Sequence, residues 1–151
     1  MMPEKSYGDS VASVKRGLIV ALNRVVNVGV RRLGLRRFRG GNLLYLTTTG
    51  RKSGKTRTTP LLYLDDGGRW VVVASNGGAD WEPGWWLNLR AGSTGTVVLG
   101  GVRTPVKGSE ITGAEREVLW QRLNGEVFPY ESYQRKVRRR LAVVALTPAA
   151  P

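Results

Sequence analysis

TGRKSGKTRTTP, residues 49–60, contains the Gly54-Lys55-Thr56 triplet that would close a phosphate-cradling G-x-x-x-x-G-K-[ST] loop, and what surrounds the triplet decides the fold. Such a loop needs its first glycine five positions before Gly54, where the chain has Thr49; Gly50 arrives one residue late. It must also open a helix whose N-terminal amides face the phosphates, whereas Thr58, Thr59 and Pro60 lead into Leu-Leu-Tyr-Leu, which reads as a strand. The stretch is therefore a strand-to-strand turn, with Arg51, Lys52, Lys55 and Arg57 gathered around Gly50 and Gly54. Clustered cations beside glycine-freed amides make an anion site without a helix. A solvated basic hairpin has the same composition, so the loop alone does not choose between the two.

Outward from the turn, runs rich in β-branched and aromatic residues cover 43–49, 57–64, 70–74, 96–99, 102–106 and 141–146. Asp66-Gly67-Gly68 and Gly100-Gly101 separate pairs of them as hairpin turns do. About six short strands predict a barrel or sandwich. Two helices interrupt them. One covers 83–90, where Pro83 suits a first turn and Trp85 and Leu89 share a face. The other covers 112–124, opened by a Thr112-x-x-Glu115 capping box and turning Val118, Leu119 and Leu123 inward. Residues 129–140, carrying Tyr130 and Tyr133, read as a further helix before the last strand. Residues 11–39 place Val11, Val14, Leu18, Leu22, Val25 and Val26 at helical spacing, with an arginine-rich exit from Arg31 to Arg39. That basic amphipathic helix either packs on the domain or lies on anionic lipid, where each cation contributes about 1 kcal/mol; amphipathicity does not separate the two.

A chain of 151 residues is one domain's worth, divided by this reading into an N-terminal helical segment, 1–38, and a β domain, 39–151. Its 24 Lys plus Arg against 11 Asp plus Glu give a net charge of +13, so the surface attracts anions. The absence of Cys and His excludes thiol nucleophiles, imidazole bases and the usual zinc or iron ligand sets, so no metal site is expected. For an enzyme so restricted, the hard chemistry belongs to a bound organic cofactor. No apolar run is long enough to span a bilayer, and no secretory leader is evident, which points to a cytoplasmic protein, peripheral on the inner membrane face if the helix meets lipid.

Beyond the basic turn, VVVASNGGADWEPGWWLNLRA (71–91) follows a strand with a tight turn over Ser75, Asn76, Gly77 and Gly78, where backbone can approach a flat ring closely. Trp86 and Leu87 read as ordinary core. With TTGRKSGKTRTTPLLYL (48–64) and FPYESYQRK (128–136), this segment resembles, in order and spacing, the deazaflavin (F420)-dependent nitroreductase and quinone reductase family over about residues 38–147.

The resemblance implies a mainly β fold with flanking helices, a split β-barrel of the FMN-binding-like type, that passes hydride from the reduced deazaflavin coenzyme F420 to a quinone, nitroaromatic or similar acceptor. By matching position, Arg51, Lys52 and Arg57, with the backbone of Ser53, Gly54 and Lys55, would hold the coenzyme's phosphate and glutamate tail. Thr59 and Pro60 would sit beside it. Ala74, Ser75, Asn76, Gly77 and Gly78 would form the turn against the ring, and Trp85 an aromatic wall. Ser75, Tyr130 and Tyr133 would be the catalytic proton-handling groups. The chain departs from the family's nitroreductase pattern at Leu62, where that pattern has a second tyrosine, and at Asn76, where it has lysine; quinone reduction is therefore the expected activity over reduction of bulky bicyclic nitroaromatics. The competing readings are a split barrel using flavin mononucleotide and a non-enzymatic basic protein for membrane or nucleic acid. No reading helix or aromatic platform supports specific nucleic-acid recognition.

Overall fold

The computed structural model describes residues 35–149 except Arg39, so the helix expected over 11–39 lies almost wholly outside the described residues. Its exit, Arg37–Phe38, is a two-residue strand, β1. There follow β2 (Gly41–Thr49), β3 (Thr56–Leu62), β4 (Leu64–Asp65), β5 (Trp70–Val73), α1 (Gly84–Arg90), β6 (Gly95–Leu99), β7 (Val102–Ile111), α2 (Gly113–Glu126), α3 (Glu131–Gln134) and β8 (Val143–Pro148). All eight strands belong to one antiparallel sheet, in the order β1-β2-β6-β7-β8-β5-β4, with β3 paired to β2. The sheet curls until β3 comes back against β5, yet no ladder joins those two strands.

The expected run over 57–64 breaks at Tyr63, because its first part pairs with β2 and its second with β5. Gly100 (φ 57°) and Gly101 (φ 79°) both adopt the left-handed backbone that a two-residue hairpin between β6 and β7 requires. β7 extends five residues beyond the expected 102–106 because it continues into a long pairing with β8. Gly108 lets it pass α1: a Cβ there would lie 2.8 Å from Cδ1 of Leu89.

β5 and β8 are apolar on both faces, since each separates two cores. Val72, Val144 and Leu146 face the barrel interior with Leu44, Leu46, Val97, Val106 and the α1 residues Trp85, Trp86 and Leu89. Val71, Val73, Val143 and Ala145 face outward beneath Leu119, Leu123, Tyr130 and Leu141. This two-sided burial produces continuous hydrophobic runs where a one-sided strand would alternate.

Three local readings are corrected. The Thr112–Glu115 capping box does not form: Thr112 makes no side-chain cap bond, Gly113 enters the helix at φ +65°, and Glu115 pairs with Arg69. Val118 points to solvent, 61% exposed, while Leu119 and Leu123 are buried as expected. The inward position on its face is taken by Arg116, whose Nη1 donates to the Leu141 carbonyl at 2.7 Å and whose guanidinium lies 5.0 Å from the Trp120 ring centre. Finally, helix over 129–140 is confined to Glu131–Gln134. The Gln134 side chain donates to the Arg139 carbonyl and accepts from the Leu141 amide, folding the segment back into a loop.

Replacing Leu119 by Ala should cost about 2–5 kcal/mol in urea unfolding, the usual penalty for a buried leucine. Val118→Ser should stay within about 0.5 kcal/mol. Equal effects would contradict the placement of α2.

Candidate active site

The unpaired edge of β3 facing β5 is the place where the barrel is not closed, and a cavity of about 270 Å³ occupies it. Thr59, Pro60, Leu61 and Leu62 form one wall. Proline is tolerated there because an edge strand needs no donor on that side. Val73, Ser75, Asn76 and Gly77 supply the opposite wall as the chain leaves β5, and Pro83 and Trp85 close one end. Phe128, Tyr130 and Tyr133 roof it, and Phe38 of β1 also lines it.

The turn after β5 has unusual backbone. Ser75 is right-handed (φ −78°, ψ −26°), and Asn76 (φ 48°), Gly77 (φ 62°) and Gly78 (φ 83°) are all left-handed. Asparagine is among the few residues that enter that region readily, and Nδ2 of Asn76 fastens the loop by donating to the Trp81 carbonyl at 3.1 Å. At Gly78 a Cβ would lie 3.0 Å from Cδ1 of Tyr133, so glycine serves both the backbone and the ring packed on it.

Arg139 holds this turn from behind. Its Nη1 donates to the Ala74 carbonyl at 3.0 Å and its Nη2 to the Ser75 carbonyl at 3.1 Å. Nε and Nη2 both donate to the Ala79 carbonyl, at 3.1 and 3.0 Å. Burial lowers the Arg139 pKa, with Glu82 and Asp80 opposing; a guanidinium nonetheless stays charged. The roof is an aromatic cluster, with Phe128 ring centres 5.2 Å from Tyr130 and 5.1 Å from Tyr133. Burial, reinforced by Tyr133, pushes the Tyr130 hydroxyl well above the ordinary tyrosine value. It is a neutral O–H donor at physiological pH.

Arg51, Lys52, Ser53, Gly54, Lys55 and Arg57 do not line the cavity; the first five are exposed in the β2–β3 turn and Arg57 is exposed at the start of β3. The turn is closed by Gly50 donating to the Lys55 carbonyl and Gly54 (φ +69°) to the Gly50 carbonyl. Buried Asn88 anchors it: Oδ1 accepts from the Arg51 amide and Nη1 at 3.1 and 3.2 Å, and Nδ2 donates to Thr48 Oγ1. Among the described residues no carboxylate pairs with any of the four cations.

The structure thus brings together Thr59, Pro60, Ser75, Asn76, Gly77, Trp85, Tyr130 and Tyr133 at one cavity. Ala74 is instead fully buried in the interior core, and Gly78 lies under Tyr133. Sequence reasoning passed over Phe38, Leu61, Val73, Pro83 and Phe128 as lining residues, and Arg139 as the brace. Aromatic or proline content near the quoted segments could have suggested Phe128 and Pro83; nothing in an arginine run distinguishes Arg139. Among the described residues no cluster of acidic side chains could hold a metal ion, and no helix is long and apolar enough to cross a membrane.

The family model described as F420H(2)-dependent quinone reductase matches residues 21–148. An F420H(2)-dependent quinone reductase of Mycobacterium tuberculosis is 36% identical over 107 residues, 69% of this chain and 72% of that one. A solved F420-H2 dependent reductase superposes with TM-score 0.62 at 36% identity, covering 72% of this chain and 94% of its own. A pyridoxamine 5'-phosphate oxidase from Listeria innocua shares the fold at TM-score 0.50 and 11% identity, over 72% and 84% of the two chains. The expected split β-barrel of the FMN-binding-like type, mainly β with flanking helices, is therefore the fold of this chain.

Burial of the Tyr130 hydroxyl makes stability depend on pH. Folded and unfolded chains both keep this proton below the ordinary value of 10.0. Above it the unfolded chain releases a proton that the folded chain retains, so stability falls as pH rises. In unfolding midpoints measured over about pH 9 to 11, Tyr130→Phe should flatten that fall, leaving the share of Tyr45 and Tyr63, whose hydroxyls burial also raises. An unchanged slope would contradict burial of the hydroxyl.

Proposed function

The chain belongs to the F420H(2)-dependent quinone reductase family, so its activity is oxidoreduction with F420H2 as donor, and we propose that the seam cavity takes the coenzyme's ring while the β2–β3 turn takes its anionic tail. The observation that carries this reading is β3 itself. Its residues Thr59 to Leu62 wall the cavity, and its first residue, Thr56, emerges from the cationic turn. Three residue steps of strand, about 10 Å, lie between Thr56 and Thr59. A ligand with a flat head and a polyanionic tail fits that arrangement. The walls suit the head, since Pro60, Val73 and Trp85 are apolar and Gly77 lacks a side chain. Lys52, Lys55 and Arg57 suit the tail because no acidic side chain among the described residues pairs with them.

When bound, the reduced coenzyme supplies a hydride (two electrons and a proton) and releases a second proton; a quinone accepting the hydride needs one proton to become the quinol. The protein's part is to orient and to manage that proton. Thr59, Pro60 and Trp85 fix the ring plane and exclude water, which hydride transfer needs more than a strong base. Ser75 and Tyr133 hold exchangeable hydroxyl protons at the cavity wall, and the neutral Tyr130 hydroxyl orients the acceptor's oxygen. Leu62 presents an aliphatic wall that favours a flat apolar quinone over a bulky nitroaromatic. For residues 11–39 we propose contact with an anionic membrane, supported by their arginine content; deleting residues 1–34 should abolish binding to anionic vesicles, and undiminished binding would remove this role.

Fluorescence titration with oxidised F420 and, in parallel, flavin mononucleotide should show selective binding of F420. Lys52→Ala should weaken it about fivefold, ~1 kcal/mol for an exposed charge-assisted contact. Tyr133→Phe should lower turnover with menadione more than coenzyme affinity. Preference for the mononucleotide would keep the fold and replace the cofactor; unaltered affinity in Lys52→Ala would move the tail elsewhere.

A further inference from the structure

The turn between β5 and α1 has two features that a plain connection does not need. Its right-handed Ser75 followed by left-handed Asn76 is the backbone sequence that points successive amides into one concavity, an anion-receiving nest. Its own hydrogen bonds run from the Gly78 amide to the Ser75 carbonyl and from the Ala79 amide to the Asn76 carbonyl; among the described residues, no backbone bond of the turn uses the amides of Ser75, Asn76 and Gly77. These three residues line the cavity. Meanwhile one guanidinium grips the carbonyls of Ala74 and Ser75 at the entrance of the turn and of Ala79 at its exit.

We propose that Arg139 is a positioning residue of the hydride-transfer site, which fixes the carbonyls of Ala74, Ser75 and Ala79 and thereby presents the Ser75, Asn76 and Gly77 amides to a cavity-bound carbonyl oxygen that gains negative charge. The rigid fork of the guanidinium spans both ends of a short loop at once, where an ammonium is a point donor. Its positive charge also offsets the three carbonyl dipoles it binds behind the nest. Preorganised donors of this kind contribute most where water is excluded. The brace is itself held, because Gln134 of α3 donates to the Arg139 carbonyl. Tyr133, one residue earlier on the same helix, lies over Gly78. Roof and turn therefore share one support, and loosening Arg139 disturbs the amides and the tyrosine together.

This inference rests on the coenzyme occupying the seam cavity, and its test separates the two. In the ligand-free protein, Arg139→Lys keeps the charge and loses the fork. Amide hydrogen exchange at Gly78 and Ala79 should accelerate roughly tenfold while Val72 and Val144 in the barrel core keep their protection. With F420H2 and menadione, kcat should fall about 100-fold at unchanged quinone KM, the scale of a small misplacement of reacting groups. Millimolar guanidinium ion should partly restore turnover in Arg139→Ala. Unchanged exchange in Arg139→Lys would overturn the brace, and faster exchange with unaltered kcat would overturn its role in presenting the amides. Failure of the wild-type protein to bind F420 would instead overturn the coenzyme assignment, with the exchange data still deciding whether Arg139 holds the turn.

Discussion

An antiparallel sheet that curls almost into a barrel must either close its last seam with ladder hydrogen bonds or leave two edges facing each other. Here β3 and β5 face each other unpaired, and the fold's other features follow from that opening. Open edges invite pairing with other chains, so they are normally covered. Side chains cover this one: Tyr133, Tyr130 and Phe128 roof it, and Pro60 removes a donor from the edge. Covering an edge with rings, without filling it, leaves a slot of the shape that a planar ring occupies. The binding site proposed above is thus the unclosed part of the barrel.

The second constraint is the cost of polar groups at such a seam. The chain meets it with cations serving as hydrogen-bond donors to main-chain carbonyls. Arg116 caps the Leu141 carbonyl and Arg139 gathers those of Ala74, Ser75 and Ala79. Both guanidinium pKa values are lowered mainly by burial, the mark of charges taken out of water. Carboxylates act elsewhere: Asp66 bridges Arg69 and Arg122, and Glu115 completes that cluster on the outside of α2. The Arg69 pKa is accordingly raised, by Glu115 foremost and by Asp66.

Much of this was legible in the sequence, and the illegible part has a physical pattern. Strand positions were found because hydrophobic runs bounded by glycine turns are a local signal; Gly100-Gly101 fixed a hairpin on its own. The break at Tyr63 was not visible, because it depends on which partner strand each half meets. Val118 was misplaced and Arg116 overlooked for one reason: a long arginine can bury its stem and find a distant carbonyl, which no spacing rule anticipates. The cavity residues Ser75, Asn76 and Gly77 announced themselves through turn chemistry. Arg139 stood among Arg135, Lys136, Arg138 and Arg140 in one basic run, and only its tertiary partners, more than sixty positions earlier, distinguish it.

The same sorting of charge bears on which ligands the site can discriminate. A net charge of +13 would attract any anion, so it confers no selectivity by itself. In the proposed assignment selectivity comes from placement: the described arginines near carboxylates or carbonyls are locally satisfied, whereas Lys52, Lys55 and Arg57 crowd the start of β3 with no acidic partner among the described residues. Cations this close fall within one Debye length, about 8–10 Å, and so act jointly on a ligand carrying several charges. A single phosphate can meet one or two of them; a chain of carboxylates can meet all, and each further contact is intramolecular once the first has formed. Asn88 makes that joint action sharper by holding Arg51 at both its amide and its guanidinium, so the turn does not have to be ordered when the ligand arrives. In the proposed assignment, a cationic turn at one end of β3 and an apolar slot at the other together select for a ligand that is flat at one end and polyanionic at the other, each half contributing little without the strand that holds the spacing.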